Sequence, residues 1–178
     1  GPRRHDGVRI AYLSGSPTHQ KDFAVCEAAL LAALEQYPQV RFRLVGYLDL
    51  GPHWQRYDDR VERIGFLPAA DLLRCLGEVD INLAPLELGN PFCEGKSELK
   101  YFEAALVGVP TVASATETFA AAIEDGVTGF LVSSDNEWER ALDLLITDAS
   151  RRRAIGETAR ERALARYGLS AIGPQAVA

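Results

Sequence analysis

Methionine is absent from this sequence, cysteine occurs only three times, and no apolar run approaches the ~18 residues of a membrane-spanning helix. Without methionine, residue 1 is not an initiator. Residues 1–7 are expected to be a leader or vector-derived scar and residues 168–178 a tail, the chain being one piece of something longer. Cys26, Cys75 and Cys93 are far apart in sequence, with no CxxC pair and no Cys/His cluster. Neither a disulfide frame nor a zinc site is indicated, and a reducing, cytoplasmic setting is expected. Positive charge is short too: a net charge of −6 offers no global field to a polyanion, which excludes a general nucleic-acid binder. Any phosphate bound here must be held by a local device.

The familiar nucleotide and hydrolase motifs are missing as well. There is no GxGxxG, which argues against a dinucleotide dehydrogenase, no GxxxxGK[ST] phosphate loop and no GxSxG nucleophile turn. No Asp-x-Asp stands ready to bridge a metal to a diphosphate; Asp58 and Asp59 are adjacent and read as a solvated loop pair. A bound diphosphate would therefore be neutralised by lysines and helix amides, with no metal and no other cofactor.

What is present is a chain of 47% apolar residues in which strand and helix patterns alternate. Strands are expected at Val8–Leu13, Val40–Gly46 (half exposed, given its alternating arginines), Val61–Ile64, Asp80–Pro85, Thr111–Ser114 and Gly129–Val132. Helices are expected at Asp22–Tyr37, from Pro68 and Asp71 to Gly77, Ser97–Val107, Phe119–Glu124, Asn136–Thr147 and Ser150–Arg166. Such alternation gives a doubly wound α/β domain over residues 8–167: about six mostly parallel strands with helices on both faces, Rossmann-like. Ligands of such sheets sit beyond the carboxyl ends of the strands, which selects Ser14–Lys21, Phe66–Pro68 and Leu86–Ser97.

Two of these stretches carry chemistry. In "FCEGKSELKYFEAALVGVPTVAS" (Phe92–Ser114), Lys96 and Ser97 stand at an expected helix start, where open amides and the helix dipole seat an anion. Glu103, two turns on, can accept from neighbouring ribose hydroxyls, and Lys100 at i−3 is expected to pair with it and keep it ionised. In "LSGSPTHQKDF", the Gly15-Ser16 turn can nest an anion, with Lys21 adding charge opposite Lys96 and His19 a candidate to orient phosphate or sugar. Ordinary helix capping and solvated charge remain the alternative for both stretches. Trp54 and Trp138 are expected to pack, His53 to lie at the surface, and Cys93 to be a plain small residue. The arginines of the last helix are expected on a solvated face, with contact to anionic lipid as the alternative.

The segments "RIAYLSGSPTHQKDF", "YPQVRFRLVG", "VERIGFLP", "VDINLAPLE", "KSELKYFEAALVGVPTVAS" and "IEDGVTGFLV" together resemble the C-terminal, donor-binding half of a GT-B-fold glycosyltransferase of the group-1, family 4-like, retaining type. The resemblance implies a nucleotide diphosphate sugar as donor. Gly15 and Lys21 would meet the diphosphate, Lys96 and Ser97 would face it as a "KS" variant loop, and Glu103 would hold the ribose. Backbone at Phe66 and Leu67 would touch the base. It also implies a glycan, lipid or protein acceptor in an N-terminal domain that this chain lacks, and a role in surface-polysaccharide assembly. One position departs from the pattern: the family's first glutamate falls on Gly95, with Glu94 one residue out of register, so either Glu94 or Asn90 would meet the sugar. A non-catalytic scaffolding unit and a sugar-nucleotide epimerase on the same fold are the competing readings.

Overall fold

The computed structural model describes residues 6–15 and 19–167. The expected leader and tail thus lie largely outside the described residues. Six parallel strands, β1 (Val8–Ser14), β2 (Val40–Gly46), β3 (Val61–Ile64), β4 (Ile81–Ala84), β5 (Thr111–Ser114) and β6 (Phe130–Val132), form one sheet. Their order is β3-β2-β1-β4-β5-β6. Chain direction across the sheet reverses between β1 and β4, and the crevice beyond their carboxyl ends is the switch point where ligands of such sheets bind.

Helices cover both faces. On one, α1 (Gln20–Gln36) buries Phe23, Cys26, Leu30 and Leu34 at helical spacing and packs against α6 (Asp135–Thr147). Trp54, Phe42 and Phe23 form an aromatic cluster in this core, their ring centroids 5.3–6.0 Å apart. Trp54 stands on a 3-10 helix (Pro52–Arg60), an element with no sequence expectation behind it, and donates its indole N–H to Glu27 at 2.7 Å. The other face carries α2 (Ala69–Leu76) and α4 (Leu99–Leu106), with α7 (Ala149–Tyr167) laid across α4. Two short helices, α3 (Pro91–Glu94) and α5 (Glu117–Ala122), shape the loops after β4 and β5.

Three local expectations change. β2 is almost wholly buried because Arg43 turns inward, where Glu62 at 2.7 Å and Glu78 at 3.1 Å neutralise it and the Cys75 carbonyl accepts a further bond. The last helix is not uniformly solvated: Arg152 is buried and donates to the Leu145 and Ile146 carbonyls that close α6. Asp58 belongs to the 3-10 helix and pairs with Arg63 at 2.8 Å. Among the described residues no helix is long and apolar enough to cross a membrane.

Gly156, inside α7, rests on the turn that follows α4; a Cβ there would stand 2.2 Å from the Gly108 carbonyl oxygen. Glycine to alanine inside a helix ordinarily stabilises by about 0.5–1 kcal/mol. Here the sign should invert: Gly156→Ala is expected to destabilise by roughly 1–3 kcal/mol through forced separation of α7 from α4. The midpoint of urea unfolding measures this, and an unchanged or higher midpoint would contradict the contact.

Candidate functional site

A cavity of about 500 Å³ opens at the switch point. Apolar side chains make most of its walls: Leu13, Val45, Leu67, Leu72, Leu86, Leu99 and Phe119. The polar groups among them are Ser14, His19, Lys96, Ser97, Lys100 and Glu103. A mostly apolar cleft with a few convergent charges is the usual form of a small-molecule site.

The chain builds this cavity by bringing backbone very close together. Gly46 ends β2 at φ +92°, and a Cβ there would lie 1.9 Å from the Ser14 carbonyl oxygen. Only glycine allows β1 and β2 to finish side by side. On the other side, Asn82 fixes α4 to the sheet, its side-chain amide donating to the Lys100 carbonyl at 3.2 Å and to Thr111 Oγ1 at 3.1 Å. Both α1 and α4 begin at the cavity, so two positive helix-dipole ends face it.

Asp22, only 3% exposed, sits in the first turn of α1 and accepts from Lys96 Nζ at 2.6 Å and from Cys93 Sγ at 3.3 Å. The ion pair ties α1 to the loop before α4. Asp22, Glu87 and Cys93 also place one ligand atom each within 4.8 Å of one another, but the Lys96 ammonium already supplies Asp22's counter-charge. Cys93 is buried as a small residue, its thiol pushed up by desolvation and then by Asp22.

Lys100 behaves unlike Lys96. Its ammonium nitrogen is buried with no hydrogen-bond partner and lies 4.6 Å from the centre of the Tyr12 ring. Desolvation, reinforced by the Lys96 charge, brings its pKa down to about 8, against a partial pull upward from Asp22. The expected Lys100–Glu103 ion pair is not formed. Glu103 is half-buried, and desolvation raises its carboxyl although the Lys100 charge acts to lower it. His19 Nδ1 is likewise buried without a partner, and burial, then Lys100 and Lys96, push the imidazole below its ordinary value.

Of the sequence-derived candidates, Gly15, His19, Phe66, Leu67, Lys96, Ser97 and Glu103 line the cavity together. Phe66 stands at its lip, 67% exposed. Ser97 lies two residues ahead of α4, whose N-cap is Glu98, so the serine faces the cavity without capping the helix. Lys21 is exposed on the first turn of α1, away from the walls as described; the second ammonium at the cavity belongs to Lys100. Glu94 also stands outside the walls, accepting from the amides of Gly89 at 3.3 Å and Glu117 at 3.1 Å, which joins the loops after β4 and β5. Asn90 caps α3 through the Phe92 amide at 3.1 Å and donates to Glu87 at 3.0 Å. Ser16 lies outside the described residues. Sequence reasoning gave Asp22 only the opening of a helix and Lys100 only a partner's role. The signal was present in the i, i+4 spacing of Lys96 and Lys100.

Residues 21–174 match the profile of a family described as glycosyl transferase-like. The chain belongs to that family. A D-inositol 3-phosphate glycosyltransferase of Kribbella flavida is 28% identical over 172 residues, 90% of this chain and 40% of that protein. The Anabaena HepE crystal structure with UDP-glucose superposes with a TM-score of 0.69 at 23% identity, over 93% of this chain and 46% of HepE. The C-terminal domain of a group 1 glycosyl transferase, LpcC, from Francisella tularensis gives a TM-score of 0.66 at 20% identity, over 92% of this chain and 86% of that domain. The fold is thus that of a GT-B glycosyltransferase-like domain, and the chain spans less than half the length of the Kribbella relative and of HepE.

Lys100 gives the site a measurable stability signature. A lysine held near 8 when folded and near 10.5 when unfolded binds fewer protons in the folded state between those values, so stability rises with pH across that window. Below it, the buried ammonium costs the fold about 3 kcal/mol. Lys100→Met is expected to stabilise the ligand-free protein by about 2–3 kcal/mol at pH 7, the difference from wild type closing towards pH 10.5. Paired urea titrations at pH 7 and pH 10 measure it; a destabilised variant at pH 7 would contradict the burial.

Proposed function

We propose that this domain binds a nucleotide diphosphate sugar as the donor half of a group-1, family 4-like glycosyltransferase. The observation that carries the reading is the switch-point cavity, apolar over most of its wall, with two ammonium groups, two helix N-termini and one unpaired carboxylate around it. The base lies against Leu67 and the backbone after β3, with Phe66 at the lip. The diphosphate lies across the N-terminal ends of α1 and α4, where Lys96, Ser97 and Gly15 meet it, with Lys21 outside the wall on the first turn of α1. The Glu103 carboxylate accepts from the ribose hydroxyls.

In transfer, the leaving nucleoside diphosphate gathers negative charge as the glycosidic bond breaks. Preorganised cations and amides in a water-poor cleft stabilise that charge more strongly than water would. No metal is required in this scheme, and the sugar is transferred with retention to a glycan, lipid or protein acceptor. The acceptor is held by a second domain, consistent with a chain that spans 40% of the Kribbella relative and 46% of HepE. HepE holds UDP-glucose and the Kribbella protein is named for D-inositol 3-phosphate. Those are properties of the relatives, and the UDP-glucose of HepE makes uridine nucleotides the first choice for a binding test. A scaffolding role is the second reading: Glu94 is engaged with backbone amides away from the cavity walls, which leaves the sugar without the family's usual acidic contact.

Calorimetry with UDP, GDP, ADP and TDP separates the two, since a scaffold binds none of them. A ribonucleotide should bind more tightly than its 2′-deoxy counterpart. Glu103→Gln should lose that preference and about 1–3 kcal/mol of affinity, and Lys96→Ala should weaken ribo- and deoxyribonucleotide alike. Retention of the ribose preference in Glu103→Gln would remove the glutamate from the site.

A further inference from the structure

We propose that Lys100 is the buried cation that pairs with the donor's diphosphate, and that it takes up a proton from solvent as the diphosphate arrives. This rests on the donor-binding reading above. Two orphaned nitrogens, Lys100 Nζ and His19 Nδ1, are both buried and both without partners, on residues that line the same cavity. A buried ammonium with no acceptor keeps neither its hydration nor a protein anion in exchange.

Its titratable and charged neighbours cannot supply one. From α1, Asp22 is committed to Lys96 at 2.6 Å, and the Cys26 thiol is pushed far up by burial and stays neutral. The Tyr12 phenol of β1, whose ring the ammonium overlies, is held neutral in the same way. His19 is held below its ordinary value and Lys96 is itself a cation. Glu103, on Lys100's own helix, lies within electrostatic range but forms no ion pair with it. The acceptor must therefore come from outside. Of the parts of a nucleotide sugar, base, ribose, diphosphate and sugar, only the diphosphate carries the negative charge that would complete this arrangement.

The linkage sets a pH window. Free Lys100 titrates near 8, so at pH 8 about half of the molecules lack the proton. A diphosphate at hydrogen-bond distance favours the charged form and draws the proton back. Affinity should then fall as pH rises above about 8, by up to tenfold per pH unit. His19 titrates lower, so a measurement at pH 8 isolates Lys100.

Binding enthalpies of UDP-glucose, GDP-mannose and ADP-glucose, measured at pH 8 in buffers of different ionisation enthalpy, test this. The phosphates of such diesters do not titrate there. The expected result for whichever donor binds is uptake of about half a proton by wild type, none by Lys100→Met, and affinity at least about tenfold weaker in that variant. Lys100→Arg, charged throughout, should bind with no uptake. Donor binding without proton uptake by wild type, or uptake that persists in Lys100→Met, overturns the assignment while leaving donor binding intact. Failure of every nucleotide to bind wild type overturns both.

Discussion

The site depends on one ion pair. Asp22 and Lys96 lie 74 residues apart in sequence, and their 2.6 Å contact crosses the point where the sheet reverses direction. Among the described residues no other ion pair holds the start of α1 to the loop that leads into α4. Because Asp22 is almost wholly buried, its charge is felt by Lys96, Lys100 and His19 together. Two carboxylates, Asp22 and Glu103, thus stand among two ammonium groups and an imidazole, and of the two only Asp22 is ion-paired. Ammonium groups gathered in one cleft of a chain of net −6 are the device that bulk composition alone could not reveal.

The apolar walls make those charges count. In water, two lysines would be screened and their neighbours indifferent; beside Leu13, Leu86 and Phe119, solvent no longer does this work. The same burial that would strengthen a phosphate contact leaves Lys100 and His19 without partners in the free protein. Binding strength and strain in the empty fold have one origin here.

The fold was legible because burial on both faces of a parallel sheet writes near-continuous apolar runs, as in Val8–Ser14 and Thr111–Ser114. Element boundaries followed within a few residues. The 3-10 helix at Pro52–Arg60 was not legible, since "PHWQRYDDR" has neither a helical apolar stripe nor strand alternation, and only tertiary packing of Trp54 and Tyr57 gives it a place. Arg43 misled for a related reason: an arginine inside a strand signals exposure unless distant glutamates wait for it. At the site, the three loops at the strand ends were readable from topology, and Glu103, Lys96 and Ser97 from helix spacing. The commitment of Asp22 to Lys96 was not, because long-range pairing leaves no local trace. The role of Glu94 was hidden likewise, its two amide donors coming from loops that sequence does not bring together.

The bare contact between Gly156 and the turn at Gly108 has a mechanical corollary. With no side chain interposed between the two backbones, the far end of α4 has a fulcrum rather than a cushion. At the other end of this two-turn rod, roughly 12 Å away, Asn82 holds the Lys100 carbonyl, so the rod is pinned at both ends. The buried lysine of the cavity therefore rides on a fixed mount.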